Sequence, residues 1–289
     1  MHLKQYTDIE AFRSAVVEPL LENEVQNNLI LSLITKNAYN TPQFAADWLL
    51  ATVGGSGGDV ALTAVYIKPF ALLLYETGNK RRDDAVEILA RELRRVNCMP
   101  SGVMAKSDLA RRFSAAITGN ASGGGAGAGR LHMVSSAMRL DKLEHYEKAP
   151  GFCRTLENRD TFFIPYWERA FSEDCRAHVF TIPEYTERLV SRLGKDTHYI
   201  WENGVPVSQA VHGRDTPNGA VINSVYTPPH YRGLGYATSV VAALSGALLD
   251  SGRSFCCLFA DAENPVSCGI YRKLGFYDVC ELEDIRFDI

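Results

Sequence analysis

Between Gly219 and Asp250 the chain sets a β-branched run, a turn with two closely spaced glycines and a helix with one apolar face in immediate succession. Few folds accommodate that succession. Gly219 to Thr227 reads as a strand, and downstream Ala237, Val240, Val241, Leu244, Ala247 and Leu248 recur at spacings of three and four, the mark of one buried helix face. Between them lies Tyr231-Arg232-Gly233-Leu234-Gly235-Tyr236-Ala237-Thr238. Glycines at a strand-to-helix turn let several backbone N–H groups point into one concavity, and the helix N-terminus adds partial positive charge behind them. A phosphate or pyrophosphate fits such a turn, with Arg232 able to add a full charge.

Spacing separates this turn from other glycine-rich turns. A P-loop needs Lys and then Ser or Thr after its last Gly, whereas Tyr236 and Ala237 follow Gly235. A dinucleotide fingerprint starts at the strand end and carries a third Gly. Here Pro228-Pro229-His230-Tyr231 intervene, and no such Gly stands in place. What is left, Arg-x-x-Gly-x-Ala, resembles the pyrophosphate loop of the GNAT superfamily of N-acetyltransferases. A second block, from Asn264 through Tyr271 to Leu274-Gly275-Phe276, resembles another motif of that family, Asn-x6-Tyr-x2-Leu-Gly-Phe. On its own terms this block is a capped helix. Asn264 serves as N-cap, Pro265 takes the first helical position and Gly275 ends it. Seven residues carry a helix through almost two turns, so Asn264 and Tyr271 share a face.

The resemblance implies an α/β fold with a mixed sheet, the GNAT fold, over residues 150–289. It implies direct transfer of an acetyl group from acetyl-CoA, as co-substrate and without a metal, to a primary amine of a small molecule or amino-acid-like acceptor. Arg232, Gly233, Leu234, Gly235, Tyr236, Ala237 and Thr238 would hold the diphosphate, with Asn264 in the same binding set. The fourth strand of the family's sheet bulges, and Val225, Tyr226 and Thr227 are the expected site here. The exposed backbone there would pair with the pantetheine arm and polarise the thioester carbonyl. Tyr271 is the expected catalytic residue, giving a proton to the departing thiolate. A base is not singled out: Glu202, His212, Asp261, Glu263 and Tyr226 all stand near strand ends, and an ordered water is the alternative. Two departures matter. Cys268 stands where the family often has Ala or Asn, and reads as a buried thiol rather than an acyl carrier. Val221-Ile222-Asn223-Ser224-Val225 also lacks the Glu that many relatives use as base.

Around that core, a strand near Cys153, helices at 160–175 and 184–193, a hairpin turning at Asn203-Gly204, a strand at 254–260 and a closing strand pair at 277–289 complete the family's element order. Residues 1–145 approximate the same order. Helical patterns at 9–17 and 23–34 precede strand-like runs at 47–53, 60–67 and 70–75, then helices at 85–96 and 108–117 and a strand at 132–140. Their counterpart of the two-glycine turn reads Tyr75-Glu76-Thr77-Gly78-Asn79-Lys80-Arg81-Arg82. One Gly beside a carboxylate does not build an anion nest, so the expectation is a degenerate GNAT-like half without a cofactor loop. Tandem arrangements of this kind resemble those of glycine N-acyltransferase-like and mycothiol-synthase-like enzymes. The glycine-rich run 122–129 and the stretch 54–58 are expected as connections, and Glu144 to Gly151 as the linker between halves.

Composition excludes several classes. The hydrophobic content of 46% and charged content of 22% suit a soluble globular protein, and a net charge of −4 argues against a general nucleic-acid binder. Seven cysteines without a Cys-x-x-Cys fit a reducing compartment, and with no signal peptide or membrane span legible the expected place is the cytoplasm. Alternatives to an enzyme are a CoA-binding sensor or partner-binding module without turnover, and a nucleotide-binding protein.

Overall fold

A computed structural model describes residues 1–34, 48–55, 57–78, 81–119 and 129–287. In chain order the elements are β1 (His2–Tyr6), α1 (Ile9–Leu21), α2 (Asn28–Leu33), β2 (Trp48–Gly54), β3 (Val60–Ile67), β4 (Leu72–Glu76), α3 (Asp83–Arg95), β5 (Gly102–Lys106), α4 (Ser107–Thr118) and β6 (Arg130–Leu140). They continue with β7 (Phe152–Thr155), α5 (Ile164–Asp174), α6 (Ile182–Val190), β8 (His198–Asn203), β9 (Val205–Asp215), β10 (Gly219–Tyr226), α7 (Tyr236–Asp250), β11 (Phe255–Asp261), α8 (Pro265–Lys273) and β12 (Tyr277–Arg286). The chain divides into two compact units, Met1–Ala137 with Val279–Ile289, and Met138–Asp278.

The first unit orders its strands β1-β2-β3-β4-β5-β12. Every neighbouring pair is antiparallel except β4 and β5, which run parallel because α3 carries the chain across between them. Successive side chains on a strand face opposite ways, and both faces are covered. Leu62, Ala64, Leu72 and Leu74 pack with Val86, Leu89, Leu93 and Phe113 of α3 and α4. Val65, Ile67, Leu73 and Tyr75 pack with Phe12, Val16, Leu20 and Leu31 of α1 and α2.

The second unit orders its strands β11-β10-β9-β8-β7, with the last residues of β6, Met138 to Leu140, beside β11. Here too a parallel pair, β10 with β11, is joined by a helix, α7. One face carries α7 and α8, through Val240, Val241, Leu244 and Tyr271 against Ala220, Ile222, Cys256 and Leu258. The other carries α5 and α6, through Ile164 and Leu189 against Ile200. This is the mixed α/β architecture the motifs imply. The hairpin between β8 and β9 turns at Gly204, whose φ of 73° suits the left-handed position required there.

Four expectations need correcting. β1 and β5 are strands that the sequence did not announce, since both are only five residues long. The helix expected from Asn23 begins at Asn28, after a turn in which Asn27 N–H bonds Asn23 O at 3.0 Å. The closing segment is one strand, β12, rather than a pair, and Val279 onward lies in the first unit, with Leu282 to Arg286 opposite Lys106 to Gly102. The stretch 144–151, expected as the linker between halves, lies inside the second unit. Glu144 N–H bonds Leu274 O at 3.0 Å, Ala149 N–H bonds Ser239 Oγ at 2.9 Å, and Trp201 Nε1–H bonds Pro150 O at 2.9 Å. The expected connection at 122–129 lies outside the described residues except for Gly129. No disulfide joins the seven cysteines, and among the described residues no helix is long and apolar enough to cross a membrane.

Candidate functional site

In the second unit β10 and β11 begin as neighbours and then separate. Their ladder runs from Gly219↔Phe255 to Val221↔Cys257, while β10 continues to Tyr226 and β11 to Asp261. Within that unshared stretch β10 bulges. Between Asn223↔Val211 and Tyr226↔Gln209 it advances three residues against two on β9. Ser224 takes up the extra residue with φ 47°, an unusual conformation for a non-glycine residue. The distortion thus centres on Ser224 and Val225, one residue before the site expected from the motif. Val225 packs toward α7, Tyr226 is buried with its ring 6.1 Å from that of Trp167, and Thr227 Oγ1 shares a hydrogen bond of 2.8 Å with Ser208 Oγ.

Past the bulge a single 3-10 turn, Pro229–Tyr231, delivers the chain to the two-glycine loop. Gly233 and Gly235 take φ values of 81° and 79°, which a side chain would strain. Gly235 is also the N-cap of α7 and offers no capping side chain. The first N–H groups of any helix lack partners within it. Among the described residues no hydrogen bond is recorded from the N–H groups of Gly233 through Thr238, so six consecutive donors remain available at the positive end of α7. Leu234 is exposed, whereas the Tyr236 ring is buried and its hydroxyl accepts from Asn203 Nδ2 at 2.8 Å. Tyr236 therefore offers the loop its main chain alone. Arg232 makes two local contacts. Its Nε donates to Thr227 O at 2.9 Å and its Nη2 to Asp174 at 2.8 Å, so the guanidinium clamps the loop to the strand end.

From the other side comes α8. Asn264 caps it, its Oδ1 accepting Ser267 N–H at 3.0 Å, and Pro265 follows as first helical residue. Tyr271 is 7% exposed, packs edge-on to Phe276 at 5.8 Å between ring centres, and has Ser267 as hydrogen-bonding neighbour of its hydroxyl. Burial pushes its pKa up to about 12, with the Cys175 and Cys268 thiols close enough to add to the rise. The hydroxyl therefore keeps its proton at neutral pH. Cys268 is buried, its thiol is pushed up by burial, and its Sγ donates to Asp261 O at 3.4 Å, which suits a core thiol and not a nucleophile.

The possible bases named from the sequence are mostly committed elsewhere. Glu202 is bound by Arg154 Nε at 2.5 Å and Arg159 at 3.1 Å, and His212 pairs with Asp215 at 2.8 Å. Asp261 and Glu263 both face Arg176, at 3.7 and 3.6 Å. Sequence reasoning missed Glu168. This carboxylate lies on α5, is 9% exposed, and meets the bulge directly through Ser224. Oε2 accepts Ser224 Oγ–H at 3.3 Å and Oε1 accepts Gln209 Nε2–H at 3.1 Å, with Arg192 Nη1 3.7 Å away. Burial raises its pKa, opposed by Arg192 and these donors. A charge on the apolar face of a predicted helix was the one signal that could have found it.

The first unit's corresponding turn is filled from within. Glu76 Oε1 accepts the N–H of Arg82, the N-cap of α3, at 2.7 Å, and Arg112 Nη2 holds the other carboxylate oxygen at 2.6 Å. Asn79 and Lys80 lie outside the described residues.

Comparison with known proteins agrees with this geometry. The FR47-like protein family matches residues 203–284, the span from the β8–β9 hairpin into β12. No curated protein matches the chain. Among solved structures, a GNAT-family acetyltransferase from Colwellia psychrerythraea covers 100% of both chains at 11% identity and a TM-score of 0.63. A GCN5-related N-acetyltransferase from Sphaerobacter thermophilus covers 98% of this chain and 95% of its own at 14% identity and a TM-score of 0.65. A Drosophila protein covers 99% and 98% at 12% identity and a TM-score of 0.63. Carrying an FR47-like segment and matching these structures over nearly its whole length, the chain has the fold of the GNAT acetyltransferases.

Proposed function

We propose that this chain is an N-acyltransferase that moves an acetyl group from acetyl-CoA to the primary amine of a small-molecule or amino-acid-like acceptor by direct attack. One observation carries the reading: six unpartnered N–H donors at the start of α7 adjoin a strand pair that opens around a bulge, with a buried, protonated tyrosine on α8. The residues present suit coenzyme A. The donors of Gly233 to Thr238 would hold its diphosphate, and the absence of Cβ atoms at Gly233 and Gly235 lets the main chain approach it. An extended pantetheine arm pairs with the unshared edge of β10 in the manner of an added strand. Bulge N–H groups polarise the thioester carbonyl, worth about 3–4 kcal/mol per donor in acyl-transfer enzymes. Tyr271 gives its proton to the sulfur as the C–S bond breaks. Arg232 organises the loop in this scheme, and Asn264 organises α8.

In this reading the first unit has given up cofactor binding, because the Glu76 carboxylate takes the place at α3 that a phosphate takes at α7. The test is a panel of primary amines (glycine, glutamate, glucosamine, spermidine, tyramine) with acetyl-CoA, followed by free thiol release. Release dependent on one amine class supports the transfer. Calorimetric binding of acetyl-CoA with no turnover across the panel would instead make the chain a CoA sensor. Stronger thermal protection by ATP or NAD than by CoA would make it a nucleotide binder.

A further inference from the structure

The transfer proposed above leaves one proton without a destination, since an amine attacks only when neutral. We infer that Glu168 is the base that takes this proton, at the β10 bulge. The strand itself carries no carboxylate: Gly219 to Tyr226 reads Gly-Ala-Val-Ile-Asn-Ser-Val-Tyr. The helix lying over it supplies one. Glu168 reaches across from α5 to the residue whose left-handed conformation makes the bulge, accepting from Ser224 Oγ at 3.3 Å.

The hydrogen-bond directions around it are fixed by exclusion. Gln209 Nε2 donates to Glu168 Oε1 at 3.1 Å and to Ser224 O at 3.3 Å, so Gln209 Oε1 is the amide's remaining acceptor. His198 Nε2, 3.2 Å from that oxygen, must then be the protonated ring nitrogen, and Nδ1 is bare and buried without a partner. Burial lowers the His198 pKa to about 4, so the ring is neutral. The two hydrogen bonds that reach Glu168, from Gln209 Nε2 and Ser224 Oγ, therefore both end on the carboxylate, which is asked to donate nothing. Arg192 at 3.7 Å and the more distant Arg188 of α6 are the charged groups facing it. Arg192 is the nearest cation, and burial raises the carboxylate's pKa.

The step balances as follows. The acceptor ammonium gives one proton to Glu168, which passes it to solvent after the reaction. The amine lone pair forms the C–N bond, the C–S bonding pair leaves with sulfur, and sulfur takes the Tyr271 proton. The second proton lost by nitrogen returns through solvent to the Tyr271 oxygen, so the hydroxyl is restored and one proton is released per turnover.

Glu168→Gln keeps the shape and the acceptor role of one oxygen. Its kcat/KM at neutral pH should fall about 100- to 10,000-fold, with acetyl-CoA affinity by calorimetry unchanged. The acid limb of the wild-type pH profile should vanish, the rate rising with pH until the acceptor's own ammonium titrates. Ser224→Ala keeps the base but removes a donor to its charged form, so the acid limb should move to higher pH. This variant carries the test alone if Glu168→Gln does not fold. An acid limb in the wild-type position in either variant overturns the assignment while leaving acyl transfer standing. No turnover by the wild-type chain on any amine overturns both.

Discussion

Replacing Gly235 by alanine asks whether the loop before α7 works through its main chain. The residue has φ 79°, and an added Cβ would meet only Ala149 Cβ at 3.6 Å, an ordinary contact. The cost is therefore conformational, about 1–2 kcal/mol for a left-handed alanine. The loop relieves that strain by swinging φ back, which turns the N–H groups of Tyr236 and its neighbours out of convergence. A hydrogen bond to a charged group contributes about 1.5–3 kcal/mol, so losing one should weaken CoA binding about 10- to 150-fold. Gly252→Ala is the matched control. It lies just past the other end of α7 with φ 96° and nothing within 4 Å of the added atom. Both variants should melt about 2–8 °C lower than the wild type, but only Gly235→Ala should bind CoA more weakly by calorimetric titration. If the two lose the same stability and Gly235→Ala still binds CoA at wild-type strength, the loop is a tight turn and nothing more.

Tyr271→Phe retains the buried ring and removes the hydroxyl, so kcat should fall about 100-fold or more while CoA affinity holds; equal losses in both would remove the acid role. With Tyr271 titrating near 12, the wild-type rate should show no decline from that group at pH 8 to 10. His198 has its pKa lowered from 6.5 to about 4 by burial, so the unfolded chain binds the extra proton between those values. Stability should be full above about pH 6.5 and decline toward pH 4 by up to roughly 3 kcal/mol. Urea midpoints across that window should flatten in His198→Asn, and an unchanged slope would place the titration elsewhere. Asp160 is fully buried, accepts both Arg154 Nη atoms at 2.7 and 2.8 Å and takes Glu157 N–H at 2.7 Å. Asp160→Asn leaves the guanidinium short of charge and should cost about 3–5 kcal/mol by denaturant titration; a cost under 1 kcal/mol would mean that Glu202 alone satisfies Arg154.

Local chemistry made the second unit's core legible. Gly233 and Gly235 required positive φ, Asn264 and Pro265 announced a helix start, and Asn203-Gly204 announced a hairpin. Each is a short-range signal with its cause inside a few residues. Glu168 was illegible because its meaning depends on Ser224 and Gln209, 56 and 41 residues away. A single carboxylate on a helix face carries no such information. The contacts of Arg232 were out of reach for a similar reason. Its spacing in the loop was clear, but the Asp174 carboxylate that takes its charge arrives from α5. The strands β1 and β5 escaped notice because five residues give too short a pattern, and the pairing that defines them is long-range.

The assignment of Val279 onward to the first unit bears on how the chain matures during synthesis. Met138–Asp278 is continuous, so it is complete once residue 278 has cleared the ribosome. The earlier-made half has to wait, with the edge of β5 lacking its partner until Leu282 to Arg286 arrive. Order of translation and order of completion are therefore reversed, and loss of Leu282 to Arg286 would injure the N-terminal half rather than the half they follow.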